Sequence, residues 1–205
     1  MQRPLVLTLL ALAAGTAQAA GPTPAGWSLL GDTLNASGVL TLTTAYTDEA
    51  PFNVSGAPAA FIDAVEPAAG VAAYALDGAD EPAYEGSVAS QSFVVQAGDT
   101  LSFDWAFTTQ ETLFQDHAFV VLDGQLITLA TRSTAPAGVQ GFSHTFSGAG
   151  TATLAFGVVD TGDFLGVSQL VVSDVQLAAV PEPATWALWL AGAGLLGAGR
   201  RRARP

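Results

Sequence analysis

The chain contains no cysteine and no lysine, and its only methionine is Met1. Without cysteine there is no disulfide staple and no thiol nucleophile, so a hydrophobic core alone must hold the fold. Basic charge is nearly confined to the two ends: Arg3 at one, and Arg200, Arg201, Arg202 and Arg204 at the other. Between residues 20 and 179 there are 17 acidic residues and a single basic one, Arg132, a formal charge of 1 − 17 = −16. Nothing in that span neutralises phosphate, which excludes nucleic acid and an anionic membrane surface as partners of the domain. The only histidines, His117 and His144, have no partner at ligand spacing, and no G-x-S-x-G elbow occurs.

The two ends are built differently from the middle. Residues 1–19 have a positive start, a short apolar centre over 4–14, and small residues at Ala17 and Ala19. This predicts a secretory signal peptide cleaved after Ala19. At the other end, residues 184–199 carry no charge and include Trp186, Leu188, Trp189, Leu190, Leu195 and Leu196. As a helix they span about 24 Å at about 1.5 Å per residue. A hydrocarbon core is about 30 Å thick, a mismatch that snorkelling arginines and local thinning absorb. The arginines of residues 200–205 are the membrane stop and stay cytoplasmic by the positive-inside rule, which places the domain outside. Immediately before the run, Pro181 and Pro183 flank Glu182 and bar both helix and interior strand, leaving an extended, accessible backbone.

Val180-Pro181-Glu182-Pro183-Ala184-Thr185, the apolar run and the arginine-rich end together resemble the PEP-CTERM sorting signal of Gram-negative bacteria, over residues 180–205. The resemblance implies recognition of Pro181, Glu182 and Pro183 by exosortase, a membrane protease-transpeptidase. It also implies a precursor anchored in the inner membrane, followed by delivery to the cell surface or the extracellular polysaccharide matrix.

The intervening 20–179 segment reads as one domain. Leu101, Phe103, Trp105 and Phe107 alternate with Ser102, Asp104, Ala106 and Thr108, the period of a half-buried strand. Leu154, Phe156 and Val158 repeat the pattern, as do Phe142, His144 and Phe146, and Val171 to Leu177 less cleanly. Asp123-Gly124 between two apolar runs predicts a two-residue hairpin of type I′. Residues 39–46 and 88–95 complete about eight strands. Residues 47–86, rich in proline and alanine, read as loops with short strands near 60–64 and 72–76. No helical period is evident between residues 27 and 179. The expected fold class is all-β, an antiparallel β-sandwich of jelly-roll type. Ser90-Gln91-Ser92-Phe93, the run from Ala97 to Trp105, and Val158-Val159-Asp160-Thr161-Gly162-Asp163 resemble exported β-sandwich modules that often carry this sorting signal. That second resemblance implies a fold and no chemistry.

Three chemistries compete for the domain. Glu111, Asp116, Asp123, Asp160 and Asp163 fall in or beside inter-strand loops, where carboxylates suit calcium, the one cofactor the sequence suggests. Set against this is a plain acidic turn. Trp27, Tyr46, Tyr74, Tyr84 and Phe114 lie outside the clearest strands and are candidates for stacking on sugars. Carboxylate pairs for glycoside hydrolysis are a matter of spatial separation. The expectation is a non-catalytic module, sorted by exosortase and associated with exopolysaccharide or biofilm. The alternatives are a calcium-dependent carbohydrate-binding module and a secreted glycan hydrolase.

Overall fold

The computed structural model describes residues 21–180, residue 24 excepted. The signal-peptide reading and the sorting tail from Pro181 onward lie outside the described residues. Among the described residues no helix is long and apolar enough to cross a membrane.

Two antiparallel sheets face each other. One has the path β1 (Ser28–Leu30), β5 (Ala83–Val95), β10 (Gly150–Thr161), β7 (His117–Leu122), β8 (Gln125–Thr131), with β4 (Ala60–Phe61) beside β5. The other runs β2 (Asp32–Ala36), β3 (Val39–Thr43), β11 (Ser168–Ala178), β6 (Thr100–Thr109), β9 (Gln140–Thr145). The expected all-β sandwich is therefore present, with more strands than the alternation reveals. Asp123 and Gly124 both have positive φ, 50° and 74°, as a type I′ turn requires.

The alternating stripes fill the space between the sheets. Phe103, Trp105 and Phe107 of β6 meet Leu154, Phe156 and Val158 of β10, with Leu40, Leu42, Leu170 and Val172 beside them. Trp27 packs on Phe156 with a tilted ring at 5.5 Å, so this predicted sugar-facing aromatic lies against the core. Phe142 stacks on Phe103 at 4.6 Å, and His144, whose alternation with Phe142 and Phe146 predicts a core or sheet-face position, lies exposed on the edge strand β9.

Residues 60–76 depart from expectation. Only Ala60–Phe61 is strand; the chain then forms α1 (Ile62–Ala69), and 73–76 is turn. Proline at position 67 and the alanines hide the helix from periodicity. Tertiary burial makes it: Val65 and Ala69, one turn apart, pack on Phe119, Val121, Ala155 and Val159 of the outer sheet face. Gly70 closes the helix in the left-handed region (φ 78°), and the Val71 N–H donates to the Glu66 carbonyl.

The long loop after β3 is pinned by one buried acid. Asp32 accepts hydrogen bonds from the amides of Val54 (2.9 Å) and Ser55 (2.7 Å), from the Ser55 hydroxyl (2.6 Å) and from the Thr43 hydroxyl. Its side chain has no solvent exposure. Asp32→Ala orphans all four donors and should lower unfolding free energy by roughly 3 kcal/mol or more. Chemical denaturation checks this, and a loss below 1 kcal/mol would show the loop to be held otherwise.

Both chain ends of the domain lie at one end of the sandwich. Gly21 lies against Leu177, and the Val180 amide donates to Asp99 at 3.2 Å. β11 runs from Ser168 at the other end to Ala178 here, about 36 Å at about 3.3 Å per residue.

Candidate functional site

The inward-facing apolar stripes stop short of the end far from Val180, and carboxylates continue them. In β10 the stripe Leu154, Phe156, Val158 ends in Asp160, and in β5 the matching row ends in Ser87 and Glu85. Asp160 and Glu85 are register partners, so their Cβ atoms stand about 5 Å apart. β7 brings a third acid: His117 pairs with Val159, and Asp116 comes immediately before it. All three carboxylates are buried, with relative exposures of 1% for Glu85, 0% for Asp116 and 2% for Asp160.

Neutral donors serve two of them. Asp116 accepts from the Thr161 amide (3.0 Å) and the Ser168 hydroxyl (2.6 Å), and Glu85 accepts from the Tyr46 hydroxyl. Asp160 has none for Oδ1, which is buried without a partner. Among the described residues no arginine reaches the group. Arg132, the single arginine among the described residues, donates instead to the carbonyls of Phe114 (2.5 Å) and Leu113 (3.1 Å).

Burial of like charges has one outcome, retention of protons. Burial lifts Asp160 to about 9, and Asp116 and Glu85 add to it. Burial lifts Asp116 to about 7 against the hydrogen bonds from Ser168 and Thr161, with Glu111 and Asp163 raising it further. Glu85 rises to about 7, again chiefly by burial, with Tyr46 pulling the other way and Glu49 and Asp116 pushing up. Tyr46 is itself pushed up by burial and by its bond to Glu85, so it stays a donor. Burial lowers His117, which stays neutral at the head of β7.

The five acids singled out for calcium are thus divided. Asp116 and Asp160 share the buried cluster. Glu111 turns Oε1 to the amides of Thr112, Leu113 and Phe114, and Asp163 accepts from the Leu165 amide at 2.8 Å. Asp123 stands at the opposite end, six residues of β7 away from Asp116, accepting from the Thr153 amide at 2.9 Å. Among the described residues, no group of three or more His, Asp or Glu side chains is placed to hold a metal ion. Glu85, absent from the sequence reading, completes the cluster. Its signal is a strand register spanning 75 residues of chain, Glu85 opposite Asp160, which no local pattern reports.

The aromatic candidates also divide. Tyr46 serves Glu85, and Tyr84 packs tilted against Phe164 at 4.9 Å. Phe114 packs over Gly162. Tyr74 alone of the five is strongly exposed, at 82%. With Phe52, Phe61 and Phe164 it makes up the exposed aromatics of the described residues, none on the long strands of either sheet.

Comparison with known proteins gives two kinds of likeness. The family model for the PEP-CTERM protein-sorting motif matches residues 179–203. No curated protein matches the chain. Among solved structures, a CBM4 module is 16% identical, over 77% of this chain and 96% of that one, with a TM-score of 0.36. The N-terminal cellulose-binding domain of Cellulomonas fimi β-1,4-glucanase C is 14% identical over 78% and 92%, TM-score 0.37. TmCBM61, in complex with β-1,4-galactotriose, is 12% identical over 75% and 88%, TM-score 0.35. These are distant likenesses.

Proposed function

We propose that this is an exported envelope protein, sorted by exosortase through Pro181-Glu182-Pro183, whose β-sandwich is a non-catalytic module of the cell surface or polysaccharide matrix. The observation that carries the reading is the sorting motif over residues 179–203, directly after the last strand of a folded domain. Residues 184–199 serve as the membrane helix of the precursor, Arg200, Arg201, Arg202 and Arg204 as its cytoplasmic stop, and residues 1–19 as the export signal. The domain then stands on the membrane by the end that holds Val180. Its acidic end, bearing Phe52, Phe61 and Phe164, faces outward.

Two features support a non-catalytic role. The acids with raised pKa values, which a glycan hydrolase would need as proton donors, lie between the sheets where no substrate reaches them. The outer face of the β2–β9 sheet presents Ser102, Asp104, Ala106 and Thr108 with no exposed ring. Replacing Pro181, Glu182 and Pro183 together with alanine should leave the uncleaved precursor in the membrane fraction, visible by immunoblot. Normal processing of that variant would defeat the sorting assignment.

A further inference from the structure

The geometry points to the hollow beside Tyr74 as a binding site for a glycan bearing free amino groups; this deepens the matrix reading above and rests on it. The hollow lies between α1 and the chain leading into β5 and has a volume of about 450 Å³, in the range of small-molecule sites. Its wall is largely apolar, with Ile62, Val71 and Pro82, and three carboxyl residues, Asp63, Glu66 and Asp77, also line it. Two of these have structural duties: Glu66 accepts from the Leu76 amide at 3.3 Å and Asp77 from the Ala83 amide at 2.9 Å.

Tyr74 has two unfavourable features at once. Its ring is 82% exposed, and its backbone is in the left-handed region at φ 65°. That conformation is strained for a bulky side chain and is what glycine or asparagine would relieve. A residue that is strained and exposes an aromatic ring beside a cavity contributes nothing evident to stability, and such outliers concentrate at binding sites. Two further hollows among the described residues show no strongly exposed ring on a strained backbone. That between Gly70 and Ser92 has neither ring nor charge. The one at Gly148 sets Asp123, also at positive φ, beside His144, but its Phe146 ring is buried and it lies at the end where the tail emerges.

The chemistry of the wall selects the ligand. A phenol face accepts the apolar face of a pyranose or an ammonium group, and carboxylates accept from hydroxyl and ammonium donors. Arg132, the one arginine among the described residues, is committed to the Leu113 and Phe114 carbonyls, so among those residues no guanidinium offsets the wall. A uronic or sulfated glycan meets net repulsion, whereas an amino sugar gains from ring and field alike.

The test uses the full-length chain in detergent, with glucosamine oligomers, their N-acetylated counterparts and uronic-acid oligomers as probes, read by calorimetry. The glucosamine oligomer should bind, more weakly as salt rises. Tyr74→Gly should weaken it about tenfold or more without lowering the melting temperature, because glycine relieves the strained φ. Asp63→Asn should weaken it less. Equal binding by the N-acetylated oligomer would overturn the amine assignment, and full binding by Tyr74→Gly would overturn the site. If the wild type ignores all three probes yet still sediments with the matrix polysaccharide of its host, this inference falls and the wider reading stands.

Discussion

Asp160→Asn should melt well above the wild type at pH 8 and close to it at pH 4. The sign follows from the direction of the shifts. Asp160, Asp116 and Glu85 hold protons more tightly folded than unfolded, with folded values of about 9, 7 and 7. Between the unfolded values near 4 and these, the native state binds more protons, so stability falls as pH rises. Each group contributes at most about 1.4 kcal/mol per pH unit while it differs between the states. The contribution is complete below about pH 4 and is lost as pH climbs through 7 and then 9. A wild-type melting temperature about 10 °C lower at pH 8 than at pH 5 is expected, and asparagine at 160 should remove much of the difference. A flat or rising profile over that range would mean that the three acids are not held as protonated neighbours. Calcium supplies the complementary measurement. A rise in melting temperature at pH 8, absent in Asp160→Asn, would show a cation taking the place of the protons and would restore the calcium reading for Asp116 and Asp160.

Gly157→Val should abolish folding, or leave a chain that unfolds at low denaturant. Gly157 on β10 lies opposite Phe119 on β7, whose ring covers the glycine backbone. A Cβ at position 157 would fall inside that ring, and Phe119 has no exposure and no room to move, hemmed by Val65, Val121 and Val159. Overpacking by one group commonly costs about 1–3 kcal/mol, and here two methyls are added to a β-carbon that already has no space. Gly157→Ala should therefore be destabilised and Gly157→Val more so, the order being read from urea midpoints. A second substitution, Phe119→Leu, should recover part of the loss by vacating the ring. A Gly157→Val chain with an unaltered midpoint would refute the packing.

These two sites mark what the sequence could and could not disclose. Stripes such as Leu101 to Phe107 identify β6 and its buried face because alternation is local, and Asp123-Gly124 identifies its turn for the same reason. The strands at 28–36 escape a local reading because Leu29, Leu34 and Ala36 show no sustained alternation and lie at sheet edges, where half the residues remain exposed. The helix at Ile62–Ala69 escapes because its reason to form lies in Phe119 and Val159, far along the chain. The acid cluster is still less legible. Glu85, Asp116 and Asp160 are ordinary residues one at a time and become unusual only when β5, β10 and β7 align. Tyr74 was legible as a candidate aromatic, but its positive φ and its hollow were not.

Because Gly21 rests on Leu177 and Val180 is fastened to Asp99, the polypeptide enters and leaves the sandwich through one doorway. Such a unit can be spliced into a surface loop of an unrelated host with little distortion of either. Joining position 180 to position 21 by a short linker and opening the ring at Asp123-Gly124 should likewise yield a permuted domain that folds.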